Sequence, residues 1–213
     1  MVNFLLLVKN IPEYNKKTID TGQTPPIIYE LCSCIRESFC LSYSIRKDNN
    51  LLIFFEKDRI LVNFIGDKLR YLGPDERSQA LLLEKALRKA KGSKISLKRI
   101  RTQSTPGIYV SKFFDLFSFL DYINSMYTGQ VYLIIDNNDI SEENNKLTAS
   151  ELNSVVFLEG DLFIIPTYEK AKMNSKILEL FKQMKTIKFL SLSKITQIEN
   201  KILYINYRKD LYE

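Results

Sequence analysis

The sequence predicts an α/β fold in which a mostly parallel sheet is flanked by helices. In its second half, short apolar segments alternate with amphipathic ones, as strands and helices do in α/β proteins. The longest apolar runs, such as Phe4–Val8, have the length of strands and fall far short of the ~20 residues that span a bilayer. With 213 residues and 45% hydrophobic content, the chain can build one large core or two small ones.

The composition excludes several classes of chemistry. The chain has no histidine, which removes Ser-His triads and most zinc sites. Its three cysteines, Cys32, Cys34 and Cys40, are too few and too close together for a disulfide framework. We therefore expect reduced thiols in a cytoplasmic protein and no metal site. The first ten residues lack the basic start and the cleavage site of a signal peptide, so none is expected.

The positive charge is concentrated in one segment. The net charge is +6, and residues 85–101 hold eight basic side chains and no acidic one, which leaves −2 (6 − 8) for the rest of the chain. The eight are Lys85, Arg88, Lys89, Lys91, Lys94, Lys98, Arg99 and Arg101. Such a cluster is typical of a surface that binds a polyanion, above all a nucleic-acid backbone. The alternative is a solvated helix face with additional lysines.

The first half predicts strands around two helices. The Thr24-Pro25-Pro26 stretch is a helix start, because proline fits the first turn. Asp48-Asn49-Asn50 has turn chemistry and predicts a β-hairpin between the apolar runs on either side. The predicted elements are a strand at Phe4–Lys9, a helix at Ile27–Cys40, hairpin strands at Tyr43–Lys47 and Leu51–Glu56, and a strand at Ile60–Phe64.

A second helix and a turn follow. Pro74-Asp75-Glu76-Arg77 places proline and two acids at a helix start, and Gly92 ends the periodic pattern after Lys91. Ile95–Arg101 is expected to be extended. It leads into Gln103–Val110, "QSTPGIYV", where Pro106 and Gly107 predict a turn before an extended piece.

The remaining elements complete the alternation. An aromatic helix is predicted at Phe113–Met126, with Phe113, Phe114, Phe117, Leu120 and Ile123 facing the core. Strands are predicted at Val131–Ile135, Val155–Leu158 and Ile187–Leu190, helices at Thr167–Met184 and Lys194–Tyr207, and a surface loop with one short helix at Ser141–Asn153.

Three of these strands end in polar turns. The turns are Asp136–Asp139, Glu159–Asp161 and Ser191–Ser193, and we expect them to converge at the carboxyl edge of the sheet, where such folds bind ligands. Neither G-x-G-x-x-G nor G-x-x-x-x-G-K-[ST] occurs in the sequence. A nucleoside cofactor without phosphates therefore fits better than a dinucleotide or a nucleoside triphosphate.

Four ordered blocks carry a resemblance to a known family. They are "LCSCIRESFCLSYSIRKD" (Leu31–Asp48), "FIGDKLRYLGPDERSQALLLEKAL" (Phe64–Leu87), "QSTPGIYV" and "VVFLEGDLFI" (Val155–Ile164). In order and spacing the chain resembles the archaeal tRNA (pseudouridine(54)-N1)-methyltransferases, which belong to the knotted, S-adenosylmethionine-dependent SPOUT class. The resemblance covers nearly the whole chain.

The resemblance implies a fold and an activity. It implies one SPOUT domain over residues 1–213 that forms a homodimer, with the stretch at 85–101 facing RNA. It also implies a C-terminal trefoil knot, within a cofactor-binding region at about 131–207. The implied reaction is methylation of N1 of a pseudouridine in the T arm of tRNA, with S-adenosyl-L-methionine as the donor.

The resemblance also suggests catalytic residues. Arg46 is the expected stabiliser of the negative charge that develops on the base. A carboxylate or a water accepts the N1 proton, with Asp48 and Asp75 as open candidates. For Asp75 and Glu76, stabilisation of the helix dipole is an equally good interpretation.

Binding residues follow from the matched blocks and from the basic stretch. The expected cofactor contacts are Ile135 and Asp136 in the first loop, Gly160 and Asp161 in the second, and Leu190, Ser191 and Leu192 in the last. The expected RNA contacts are Arg77, Lys89, Lys98, Arg101, Gln103, Ser104, Thr105 and Gly107. The loop at Gln103–Gly107 is expected to lie beside the flipped target nucleotide.

The chain departs from the family pattern at several polar positions. Ile27 and Tyr29 stand where the family carries arginine and aspartate, Ser33 replaces an arginine, and Tyr43-Ser44 replaces His-Asp. Asn137-Asn138 stands where the first cofactor loop usually has glycine. Two alternatives therefore stay open: a ribosomal-RNA pseudouridine N1-methyltransferase, and a non-catalytic RNA-binding relative.

Overall fold

The structure is a computed structural model that describes residues 2–92, 101–135, 146–147, 155–167, 176–184, 186–192 and 194–211. The strands are β1 (Val2–Val8), β2 (Asn49–Phe55), β3 (Ile60–Ile65), β4 (Arg101–Thr105), β5 (Ile108–Lys112), β6 (Val131–Ile135), β7 (Lys146–Leu147), β8 (Leu162–Pro166) and β9 (Ile187–Ser191). The helices are α1 (Lys16–Asp20), α2 (Pro26–Phe39), α3 (Glu76–Lys91), α4 (Leu116–Met126), α5 (Lys176–Lys182) and α6 (Ile198–Asp210), with a 3-10 turn at Gly66–Lys68.

The described strands form one sheet in the order β4-β5-β3-β2-β1-β8-β6-β9-β7. The pairs from β2 through β1, β8, β6 and β9 to β7 are parallel. On the other side, β3, β5 and β4 continue the sheet in antiparallel fashion. The prediction of a mostly parallel sheet flanked by helices is therefore confirmed.

The parallel strands share two edges, which organise the rest of the molecule. We call the edge where they begin the amino edge; there Val2 pairs with Asn49, and Leu162 pairs with Val131. We call the opposite edge, where the same strands end, the carboxyl edge. At ~3.3 Å per residue, strands of five to seven residues hold the two edges ~15–20 Å apart.

Helices cover both faces of the sheet. Phe4 and Leu6 of β1 pack in one core cluster with residues of α2, α3 and α6. Leu5 and Leu7, which point the other way, pack with α4 and α5. Burial on both faces explains why β1 is a continuous apolar run without polar alternation.

Local signals placed several elements correctly. The structure confirms the strands at β1, β3, β6 and β9 and the helix α2, which begins beside Pro25 and Pro26. It also confirms α3, for which Asp75 is the N-cap and Gly92 the C-cap. Within the described residues, none of the helices is both long and apolar enough to cross a membrane.

The predicted hairpin at Tyr43–Glu56 is wrong. Residues 41–48 form a loop, the 41–48 loop, with one isolated bridge between Cys40 and Ile45, and β2 begins at Asn49. Asn49 is buried because its side-chain amide donates to the Ser38 carbonyl and to Oδ1 of Asn206. The observed hairpin joins β2 and β3 instead, and Arg59 in its turn has φ +55°.

The inward face of the aromatic helix was predicted only in part. Leu120 and Ile123 are buried, but Phe114 and Phe117 are exposed, and Phe113 precedes the helix although it is buried. The reason is that Asp115 and Ser118 form a capping box, which fixes where the helix starts. Phe119 then points inward and stacks on Phe54 with ring centroids 3.6 Å apart.

Later boundaries also differ. Residues 155–158 are not a strand, and the strand is β8, which follows Asp161 instead of preceding Glu159. The last helix covers Ile198–Asp210, shifted from the predicted Lys194–Tyr207. Several predictions lie partly or wholly outside the described residues: the extended stretch before Arg101, the turn at Asp136–Asp139, most of Ser141–Asn153, residues 168–175 of the helix predicted from Thr167, and Ser193.

Candidate functional site

Three loops meet at the amino edge. They are the 41–48 loop, which carries Arg46, a second loop at residues 66–73 after β3 (the 66–73 loop), and the 104–107 turn, which comprises the last two residues of β4 and the two that connect it to β5. All three lie there because β2 begins, β3 ends and β5 begins at this edge. Two blocks that are distant in sequence, around Arg46 and around QSTPG, are therefore brought to the same place.

Gly66 joins the first two loops. A Cβ at this position would lie 2.5 Å from the carbonyl oxygens of both Arg46 and Asn49, which is closer than real Cβ contacts allow. Only glycine lets these backbones approach so closely. The 66–73 loop is therefore packed directly against the backbone of Arg46.

Gly107 joins the second and third loops. It has φ +82°, and a Cβ here would lie 2.4 Å from the backbone nitrogen of Leu69. The Ile65 N–H donates to the Gly107 carbonyl at 2.9 Å, and the Arg70 N–H donates to the Pro106 carbonyl at 3.4 Å. This backbone contact is the interaction that the structure gives to Gly107, which sequence reasoning assigned to RNA binding.

Arg46 is held by the C-terminal end of α6. Its Nη1 and Nη2 donate to the two carboxylate oxygens of Asp210 at 2.7 and 2.6 Å. The Arg46 side chain is only 17% exposed, and its hydrogen bonds hold the pKa of Asp210 below the usual carboxyl range. A second ion pair, Lys209 with Asp48, joins the same loop and helix.

Asp75 and Arg77 each have a structural partner. The Asp75 carboxylate accepts the Ser78 N–H at 2.8 Å, which caps α3 and lowers the pKa of Asp75. Arg77 forms an ion pair with Asp20 of α1 at 2.7 Å. The capping interpretation of Asp75 is thus realised in the structure.

The hydroxyl groups of Ser104 and Thr105 stand out in the 104–107 turn. Their oxygens are shielded from solvent and, among the residues that the structure describes, find no hydrogen-bond partner. The pairing of β4 with β5 shifts register between Gln103 and Thr105, so Ser104 sits in an irregularity of the strand. Buried hydroxyl groups are usually satisfied, and an unsatisfied pair costs stability. Together with the exposed Gln103, these groups are the strongest indication of a ligand at the amino edge.

The basic side chains lie away from this turn, because Arg101 pairs with Ser111 at the opposite end of the β4–β5 hairpin. The guanidinium of Arg101 lies 4.0 Å from the centre of the Tyr109 ring across the β4–β5 hairpin. Helix α3, which carries the exposed Lys89, packs against β4 and β5. Lys98 lies outside the described residues.

Part of the predicted cofactor site lies at the carboxyl edge. Ile135 at the end of β6 pairs with Ser191 at the end of β9. Leu190 and Leu192 are buried next to this pair, while Asp136 lies outside the described residues. Sequence reasoning missed Thr167, whose N–H and hydroxyl both donate to the Leu7 carbonyl at the same edge.

The expected convergence with Gly160 and Asp161 is wrong. These residues precede β8, so they lie at the amino edge, a full strand length from Ile135 and Ser191. The Asp161 carboxylate accepts the N–H groups of Gln130 and Leu158, and burial raises its pKa. Gly160, at φ +93°, completes this tight turn. The Gly-Asp pair thus has a structural role here.

A buried asparagine network links the amino edge and was also missed. The Asn50 amide donates to Oδ1 of Asn3, and the Asn3 amide donates to the Asp161 carbonyl. The Asn206 amide of α6 donates to the Glu37 carbonyl. Polar residues that interrupt apolar strand runs were the signal that could have revealed it, because buried amides need such partners.

Two further observations concern ligand binding elsewhere in the described part of the chain. A shallow groove of about 580 Å³ runs along α6 and is lined by Lys194, Ile195, Thr196, Asn200, Leu203, Tyr204 and Tyr207. Within the described ranges, no group of three or more cysteines, aspartates and glutamates is arranged to hold a metal ion.

Comparison with known proteins identifies a matching family and several relatives of this chain. Residues 28–184 match the model of a protein family described as "Putative SAM-dependent RNA methyltransferase". The tRNA (pseudouridine(54)-N(1))-methyltransferase of Methanocella arvoryzae is 33% identical over 149 residues, 68% of this chain and 69% of that protein. The enzyme of the same name from Methanococcus aeolicus is 32% identical over 62% of each chain.

The aligned regions do not cover the whole of these relatives. The matches span 62% of the length of the Methanococcus aeolicus protein and 57% of a 37%-identical Methanosarcina mazei enzyme of the same name, where 62% of this chain is aligned. Among solved structures, Archaeoglobus fulgidus Nep1 bound to S-adenosylhomocysteine superimposes with a TM-score of 0.54. The alignment covers 99% of this chain and 97% of Nep1 at 15% identity, which supports a common fold.

Proposed function

Because the chain belongs to this family of S-adenosylmethionine-dependent RNA methyltransferases, we propose that it methylates N1 of the pseudouridine at position 54, in the T arm of tRNA. The observation that carries the proposal is the 33% identity, over about two thirds of both chains, to an enzyme named for that reaction. The cluster of loops at the amino edge supports it, because the Ser104 and Thr105 hydroxyls there find no hydrogen-bond partner among the described residues.

The chemistry suits a protein without histidine. Pseudouridine is linked to ribose through carbon, so its N1 carries a proton, and loss of that proton gives a delocalised anion. S-adenosylmethionine supplies an electrophilic methyl group on a sulfonium ion. The protein has to orient the base, exclude water and balance the developing charge.

Ser104, Thr105 and Gln103 are the proposed contacts to the base. Their side chains can donate to the carbonyl oxygens of the base or accept from its N–H groups. Among the described residues the two hydroxyls find no hydrogen-bond partner, so a base that bonded them would remove an existing desolvation cost. The glycine contact between Gly107 and Leu69 holds the turn in place.

Arg46 is the proposed stabiliser of the anion. Its charge is paired with Asp210, so it acts on the base either through its remaining N–H groups or after the pair opens. The proton acceptor is a water molecule or one of two carboxylates. Asp75 has a lowered pKa and is therefore a weak base, and Asp48 is paired with Lys209.

The residues at the carboxyl edge fit a nucleoside cofactor. Ile135, Leu190 and Leu192 supply buried apolar surface, and the backbone at Leu192 continues beyond the paired strands. Apolar walls with a few backbone donors and acceptors suit an adenine ring. We propose these residues, with Asp136, as the cofactor contacts, within the trefoil knot that the family resemblance implies at about 131–207.

The separation of the two edges has a consequence for assembly. Methyl transfer requires the reacting atoms to approach to ~3–3.5 Å, whereas the edges of one chain lie ~15–20 Å apart. We therefore include a homodimer in the proposal. In this dimer the carboxyl edge of each protomer faces the amino edge of the other, so two-fold symmetry gives two equivalent sites. The exposed Leu203 and Tyr207 on α6 support it as apolar surface for such a contact.

The proposed protein is a single domain that works on tRNA, with residues 85–101 facing the RNA. The proposal includes a cytoplasmic location. Burial raises the pKa of the Cys32 thiol to about 12, and a thiol that stays protonated is unreactive and stays reduced, as the cytoplasm favours.

A transfer assay tests the proposal. The protein is incubated with labelled S-adenosylmethionine and tRNA that either contains or lacks the T-arm pseudouridine, with ribosomal RNA as a third substrate. Label is expected only in the tRNA that contains pseudouridine, and Arg46→Ala is expected to abolish transfer while cofactor affinity persists. Label in ribosomal RNA alone would support the ribosomal alternative, and cofactor binding without transfer to any RNA would support a non-catalytic relative.

A further inference from the structure

Tyr71 stands out among the residues of the amino edge. It is 83% exposed and has φ +66°, a left-handed conformation that bulky residues rarely adopt. The ring contributes little to the core, and glycine or asparagine would adopt this backbone conformation more easily. Folding alone therefore does not favour tyrosine at this position. Backbone strain of this kind concentrates at functional sites.

The 66–73 loop holds Tyr71 rigidly outward. Leu69 is buried and Leu72 packs against the core, so the residues between them point to solvent. The glycine contacts of Gly66 and Gly107 fix the loop against its two neighbours. A fixed ring loses little conformational freedom when a ligand packs on it.

The side chains next to Tyr71 suit a nucleic acid. Arg70 and Lys68 are exposed, and among the described residues neither forms an ion pair with a carboxylate. Nη1 of Arg70 donates to the Leu69 carbonyl at 2.7 Å, which leaves the rest of the guanidinium open. One acidic side chain, Asp67, is exposed in the same loop. An exposed ring beside unpaired cations is the combination with which proteins stack single-stranded bases and bind the adjoining phosphates.

We propose that the Tyr71 ring stacks on a base of the RNA substrate, next to the nucleotide held by the 104–107 turn, with Arg70 and Lys68 on the adjoining phosphates. The proposal rests on the proposed function, because it assumes an RNA substrate at the amino edge. Stacking requires the ring and not the hydroxyl, and it is independent of the chemistry of methyl transfer.

Variants at Tyr71 separate the ring from the backbone. Tyr71→Phe keeps the ring, whereas Tyr71→Asn removes it and relieves the strained φ. Arg59→Asn is the matched control, because Arg59 also has a positive φ, at +55°, but lies in the β2–β3 hairpin at the carboxyl edge. Binding is measured by fluorescence anisotropy with a labelled T-arm stem-loop that contains pseudouridine, and stability by thermal denaturation.

Tyr71→Asn is expected to weaken RNA binding about tenfold while its Tm rises by about 2 °C. Tyr71→Phe is expected to bind within about twofold of the wild type, since stacking is preserved. Arg59→Asn is expected to bind RNA like the wild type; its Tm also reflects loss of the hydrogen bond from Arg59 to the Phe114 carbonyl. A Tyr71→Asn variant that binds like the wild type, or a Tyr71→Phe variant as weak as Tyr71→Asn, would overturn the proposal.

The same protein preparations distinguish this failure from failure of the proposed function. If the wild type transfers methyl groups to tRNA and Tyr71→Asn binds equally well, only the stacking role is lost. If the wild type binds no RNA, both proposals fail together.

Discussion

Replacement of Gly107 by alanine is expected to destabilise the protein strongly, because two separate costs coincide there. The residue has φ +82°, and an added Cβ would lie 2.4–2.5 Å from backbone atoms of Lys68 and Leu69. Two other glycines of the chain each carry only one of these costs and serve for comparison. Gly22 has φ +71° with no atom within 4 Å of an added Cβ, and an added Cβ at Gly66 lies 2.5 Å from backbone carbonyls without a positive φ.

The magnitudes follow from these geometries. A positive φ costs alanine about 1 kcal/mol, so Gly22→Ala should lower the free energy of unfolding by about that amount. Overpacking against a rigid backbone costs about 1–3 kcal/mol, which is the expectation for Gly66→Ala. Gly107→Ala combines both costs and should lose about 2–4 kcal/mol. For a chain of this size, that loss lowers Tm by about 4–16 °C, against about 2–4 °C for Gly22→Ala.

Thermal and urea denaturation followed by circular dichroism measure these differences. The wild type and the three alanine variants are compared at one pH and one protein concentration, so that differences in association do not enter. If Gly107→Ala is no less stable than Gly22→Ala, the close contact with Leu69 does not exist in solution, and the packing of the three loops is refuted.

Three further predictions concern charge. In a double-mutant cycle, Arg46→Ala and Asp210→Ala should show a coupling of about 0.5–1 kcal/mol at pH 7, because both side chains are partly exposed. Since Arg46 lowers the pKa of Asp210, this coupling is present above the ordinary carboxyl pKa and disappears as the pH falls through the lowered one; an undiminished coupling at pH 2 would contradict the ion pair. Asp75→Ala should lower the free energy of unfolding by about 1 kcal/mol, because the helix cap is lost. Asp75→Asn can still cap the helix and should keep both stability and methyl transfer. A stable but inactive Asp75→Asn variant would instead make Asp75 the proton acceptor. Replacing Lys89 and Arg101 by alanine should reduce the salt dependence of tRNA binding by a slope of about 1–2, and an unchanged slope would place the RNA elsewhere.

Local signals in the sequence were sufficient where the physical cause was local. The apolar run of β1, the acids at the start of α3 and Gly92 at its end each act within a few residues, and each was predicted correctly. Asn49 and Asn50 have the composition of a turn, yet they lie in a strand, where the Asn49 side-chain N–H group donates to Oδ1 of Asn206, 157 positions away. No local pattern carries that information.

The candidate site shows the same limit. Arg46 and the QSTPG block were predicted to be functional from the family resemblance, and the structure places both at the amino edge. It could not reveal that Asp210, 164 positions away, binds the guanidinium, or that Gly66 and Gly107 serve contacts between backbones. The strand that follows Asp161 was assigned to residues before it, because two apolar runs flank the Gly-Asp turn and either one satisfied the strand pattern.

The position of β1 between β2 and β8 affects how the protein assembles during synthesis. Asn3 donates to the carbonyl of Asp161, which is translated 158 residues later. At translation rates of ~5–20 residues per second, this leaves β1 without one neighbour for on the order of ten seconds. The 41–48 loop lacks its partner for longer still, because Asp210, which binds Arg46, lies at the end of α6. The nascent chain thus exposes an apolar strand edge until its C-terminal third emerges, so we expect truncated products to aggregate and not to persist as partly active enzyme.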